Sequence, residues 1–161
     1  MAKILGTSLP AGHVGNLVTT YARVSRGTPE DAALPYGALV KFGSSTGYYD
    51  VYAGSETSAA DFAGVVVRDM THIEYDGTVD AIAPGKYGDV LLEGDIWVEV
   101  DSEVSDLATI VEGGKVYLGA AGKASSTGGD GAVEIARCKF LGMTSTVDGV
   151  KITAIRVRFS A

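Results

Sequence analysis

Residues 87–101 read YGDVLLEGDIWVEVD. In the second half Ile96, Val98 and Val100 alternate with Asp95, Trp97, Glu99 and Asp101, the period of two that puts successive side chains on opposite faces of a strand. The only tryptophan therefore falls on a face that is otherwise acidic, which makes Trp97 a candidate contact residue; the alternative is coverage by another part of the same chain. Outward from this stretch the same texture recurs. ALVKF (38–42), YYDVYA (48–53), FAGVVVRDM (62–70), YGDVLL (87–92), DIWVEVD (95–101), KVYLGA (115–120), AVEIARCKFLGM (132–143) and VKITAIRVRFS (150–160) are short β-rich runs. Between them stand GSSTG, GSETSAAD, DGT, APGK, EGD, EGG, STGGDG and VDG, several of them suited to the positive-φ turns that join antiparallel strands. No helical period lasts ten residues after position 35. The expectation is an all-β body, residues 36–161, built as an antiparallel β-sandwich or jelly-roll-like barrel of about eight strands.

Composition narrows the function. The chain has 161 residues, 13 basic and 20 acidic, for a net charge of −7, and 22 glycines against 4 prolines. That length suits one domain, and no apolar run approaches the ~18 residues of a membrane-spanning helix. The single cysteine, Cys138, excludes an internal disulfide framework and every zinc site built on two cysteines. It alternates with Ala136 and Phe140, so it is expected to point inward. His13 and His72 sit alone in separate segments, with no serine elbow beside either. STGGDG lacks the lysine and the strand-to-helix setting of a phosphate loop and reads as a hairpin tip. Asp89, Glu93 and Asp95 do not follow the spacing of a calcium loop. The reading is a non-enzyme with no cofactor and no metal.

Charge is segregated along the chain. Residues 1–29 carry Lys3, Arg23 and Arg26 and no acid; residues 30–135 carry 5 basic and 19 acidic residues; residues 136–161 carry 5 basic residues against Asp148. The leader through Pro35 has scattered apolar residues (Leu9, Val14, Leu17, Val18), several turn formers and little period. It is expected to be an extended arm, residues 1–35, with one helical turn at most where Thr28 precedes Pro29, Glu30 and Asp31. Few apolar contacts are expected of residues 1–29, so their removal should leave the body folded yet weaken assembly or capsid binding. In ITAIRVRFS, Arg156 and Arg158 share a face and form a basic stripe. Opposite patches steer and register contacts, so the basic leader is expected to meet an acidic body, its own or a neighbour's. The acidic body argues against wrapping nucleic acid.

The order AGHVGNL...YARVSRG, PYGALVKFG, FAGVVVRDMTHIEY, PGKYGDVLLEGDIWVEV, a glycine-rich hairpin and a closing ITAIRVRF strand resembles the structural cement proteins of tailed bacteriophages. The resemblance implies an extended arm on a β-sandwich or jelly-roll-like body, small homo-oligomers on the outside of an icosahedral capsid, bridging of neighbouring major capsid subunits, and no catalysis or cofactor. It implies a protein made in the host cytoplasm and carried on the virion. A homo-oligomer, trimer before dimer, is also expected from an outward Trp97 and segregated charge. Leu9, Val14, Leu17, Arg23, Arg26, Trp97, Arg156 and Arg158 are the candidate interface residues. A ligand-binding β-domain of the carbohydrate-binding kind is the alternative, for which Tyr48 and Tyr52 on one face of YYDVY are the nearest aromatic pair. A nucleotide pyrophosphatase of the trimeric β-barrel kind would need an acidic metal site and a phosphate-cradling serine turn, and neither is found.

Overall fold

A computed structural model describes residues 13–68 and 80–160. Among them run eleven strands: β1 (Leu17–Pro29), β2 (Leu34–Pro35), β3 (Leu39–Phe42), β4 (Tyr48–Val51), β5 (Phe62–Val66), β6 (Ala81–Ile82), β7 (Gly88–Glu99), β8 (Lys115–Leu118), β9 (Ala124–Ser125), β10 (Glu134–Val147) and β11 (Val150–Val157). Two single 3-10 turns, Leu107–Thr109 and Ala120–Gly122, are the only helical pieces described. Nine strands form one sheet in the order β1-β4-β3-β5-β7-β11-β10-β8-β9, and β2 pairs with β6. Because β1 also pairs with β7, the strands β1, β4, β3, β5 and β7 close a circuit. The sheet is mixed rather than wholly antiparallel: Thr28 and Pro29 run parallel to Tyr48 and Tyr49.

The core explains why the central runs are so apolar. Phe62 and Val65 of β5 enter the largest cluster, with Leu39, Ile96, Phe140 and Ile155, while Ala63 and Val66 enter a second with Val40, Tyr49 and Val90. β5 is therefore buried on both faces, which a continuous apolar run serves and an alternating one does not. Cys138 lies in the first cluster, fully buried, and burial pushes its thiol up to about 12 against the weaker pull of Arg137 and Lys139. The thiolate is the reactive form, so the native protein should not react with a thiol reagent at pH 8, and should do so fully in denaturant. Rapid labelling of the folded chain would contradict this placement.

Four details depart from the sequence reading. YGDVLL and DIWVEVD are one strand, β7, because Gly94 in the intervening EGD adopts φ +140 and pairs with Ala22 on one side and Val157 on the other. A side chain would tolerate that backbone poorly; glycine lets the strand bend without ending. No helical turn forms at Thr28–Asp31: the Thr28 N–H donates to the Gly47 carbonyl and the Glu30 N–H to the Tyr49 carbonyl, Thr28 and Pro29 stay extended, and the chain bends at Glu30 and Asp31. STGGDG is a crossing loop between β9 and β10, which flank β8, rather than a hairpin tip. The segment expected to be an arm divides: residues 1–12 lie outside the described residues, while Leu17–Pro29 is extended and hydrogen-bonded into the sheet as β1. VDG does form the anticipated two-residue turn, with Asp148 and Gly149 at φ 51 and 79 joining β10 to β11.

Candidate interaction surface

Strand β7 runs between β1 and β11, and a groove of about 650 Å3 opens over its residues Glu93, Gly94 and Asp95. Its walls include Tyr21 from β1 and Arg156, Arg158 and Phe159 from the end of β11. Tyr21 is 71% exposed and Phe159 51%, unusual for large rings on one groove. The Arg23 guanidinium lies 4.2 Å from the centre of the Phe159 ring, within cation–π range. No carboxylate among the described residues lies within ion-pair distance of Arg23, Arg26 or Arg158.

Much of the segregated charge meets inside the chain. Register sets Arg23 opposite Glu93 and Arg26 opposite Asp89, so the basic leader lies along an acidic strand of its own body. Asp95, nearly buried, accepts two bonds from Arg156, Nε–Oδ1 2.9 Å and Nη2–Oδ2 3.0 Å, and that pairing raises the already high pKa of the guanidinium. Glu99 pairs with Lys123 at 2.8 Å, and Asp101 accepts from the N–H groups of Glu103 and Ala120. The acidic face of DIWVEVD is thus provided for by its own chain. Arg158 keeps its charge unpaired, so the stripe contributes one free cation where two were expected.

A family model described as structural cement protein (E217 gp24/Pam3 gp6) matches residues 3–158. The chain belongs to the phage structural cement protein family. Its fold is also that of a chain solved in the capsid of Myoviridae phage XM1, at 22% identity and a TM-score of 0.66, over 97% of each chain. No curated protein matches in sequence.

The candidate contact residues fall into three groups in this family member. Arg23, Arg26, Arg156 and Arg158 are exposed, and all but Arg26 gather at the groove. Val14 and Leu17 are half-buried, Val14 against Trp97 and Leu17 against the main core, and Leu9 lies outside the described residues. Trp97 is the correction. It is 6% exposed, packed with Ile152 and Ala154 under Val14, Val18, Leu141 and Val147, because the leader folds back over its face. The carbohydrate-binding alternative loses its aromatic pair: Tyr52 is buried, stacks on Phe62 and donates to Asp61 at 2.7 Å, which leaves only Tyr48 on the surface. Asp95 is committed to Arg156, and among the described residues no group of three or more His, Cys, Asp or Glu side chains is placed to hold a metal ion. His72 lies outside them.

One organising residue escapes sequence reasoning. Arg137 donates to the carbonyls of Phe62, Leu92 and Arg158 and covers the Phe62 ring at 5.2 Å, tying together β5, β7 and the end of β11 behind the groove. Its only sequence signal is a cation in a β run beside Cys138.

Proposed function

We propose that the protein binds the outside of an icosahedral phage capsid as a homo-oligomer, a trimer before a dimer, and cements neighbouring major capsid subunits. The carrying observation is the family match over nearly the whole chain. Support comes from a surface that offers unpaired arginines and exposed rings while the acids of the tryptophan-bearing stretch of β7 have partners within the chain. The action is adhesive: a ligand that binds assembled subunits and not separated ones stabilises the assembly, and many weak copies suffice. The body reads as sandwich-like, since residues of β3, β5, β8, β10 and β11 meet in one main cluster.

Co-sedimentation with purified capsids tests the reading. Bound protein should raise the temperature at which the shells come apart, and binding should weaken between 0.1 M and 1 M salt as the Debye length falls from ~10 Å to ~3 Å. Protein that stays in the supernatant at every salt concentration would refute attachment. Binding that is flat or rising with salt would place the adhesion on apolar burial and backbone pairing instead.

A further inference from the structure

The groove has a counterpart on the same chain. At the far end of β1, Glu30 and Asp31 lie beside Asp50 of β4, and Tyr48, 40% exposed, shares the strand face of Asp50. Glu30 is held by the Ser44 N–H and hydroxyl, and Asp31 is exposed with no cation within ion-pair distance. Burial first, then the charges of Glu30 and Asp31, keeps the Asp50 carboxyl above its ordinary pKa, with Lys41 a minor opposing influence. The middle of β1 thus presents Arg23, opposite Glu93 in the register but without an ion pair, together with Arg158, Tyr21 and Phe159; its far end presents crowded acids with Tyr48. From Arg23 to Pro29 an extended strand covers about 20 Å at ~3.3 Å per residue, so the two surfaces cannot neutralise each other within one molecule.

We propose that the groove of one copy, at Arg23, Arg158, Tyr21 and Phe159, receives the Glu30–Asp31–Asp50 corner of a second copy. This rests on the homo-oligomer reading above and names the surfaces that make it. The contact is head-to-tail, each copy using a different patch on either side, and such a contact closes into a ring when its rotation permits, as a trimer requires. Complementary charge sets the register, and the exposed rings supply apolar burial.

Pairing of the groove with the corner can be separated from pairing of like patches by mixing. Sedimentation velocity of the full chain without capsids should show self-association of the parent. Arg23→Glu/Arg158→Glu, which spoils only the groove, and Asp31→Lys/Asp50→Asn, which spoils only the corner, should each weaken it about tenfold or more. An equimolar mixture of the two variants should form a mixed complex, from a heterodimer upward, because each retains the surface the other lacks; a contact that pairs each patch with the same patch on a second copy would gain nothing. Arg23, Arg158 and Asp31 are exposed, so circular dichroism should show native variants, and Asp31→Lys alone, expected to weaken association in the same direction, serves if Asp50→Asn perturbs the fold. A parent that stays monomeric, variants that associate like the parent, or a mixture without the mixed complex would each overturn the proposal. If the arginine variant instead loses capsid binding while the parent is monomeric, the groove belongs to the capsid subunit, and the cementing function stands without this contact.

Discussion

Deletion of residues 1–29 should leave a chain that does not reach the native fold, without native near-ultraviolet circular dichroism and without a cooperative unfolding transition. Six consecutive β1 residues, Ala22–Gly27, are registered against β7, and Thr28 and Pro29 against β4. Their loss opens the circuit of strands and strips the partners from buried backbone: Trp97 donates to the Asn16 carbonyl and accepts from Gly15, and the Arg68 N–H donates to Gly15. Each buried polar group left without a partner costs about 1–3 kcal/mol, so a handful of them approaches the whole ~5–15 kcal/mol of a typical domain. Tyr49 would also lose the Ser25 hydroxyl and the close cover of Gly27. Deletion of residues 1–12 removes none of these contacts and should preserve the transition. A 1–29 deletion that unfolds cooperatively at an unchanged midpoint would show that β1 contributes no stability, and would restore the detachable arm expected from composition.

The contrast shows where sequence reasoning reached and where it stopped. Strands with a buried face were legible, because burial on one side imposes alternation and burial on both imposes a run, as in β5 and β7. β1 carries neither signature: Tyr21, Arg23, Val24 and Arg26 are exposed and Ala22 and Ser25 half-buried, so it is held chiefly by backbone pairing, which leaves no mark on side-chain pattern. The break assigned at EGD failed for a related reason, since glycine marks a bend as readily as an end. Of the interaction surface, the arginines were visible as charge, but their fates were not. Only the register decides that Arg156 meets Asp95 while Arg158, two residues on, meets no acid.

Trp97→Ala should lower the stability of the folded chain by about 3–5 kcal/mol, the usual cost of emptying a buried large aromatic site. The ring lies against Ile152 and Ala154 on β11, with Val14 and Val18 above it, and Ala154 stands directly opposite in the register. Trp97→Phe fills most of that space and should cost distinctly less. Denaturant titration measures both, and because Trp97 is the only tryptophan, circular dichroism must replace fluorescence for the alanine variant. An interface residue predicts the opposite partition, an intact unfolding midpoint with weakened self-association or capsid binding. Since the Trp97 N–H and carbonyl bond to Asn16 and Gly15, the substitution should also loosen the start of β1, and amide exchange at Gly15 and Trp97 should quicken before exchange in β5 does. Loss confined to association, with stability unchanged, would mean that the leader does not cover this face in solution.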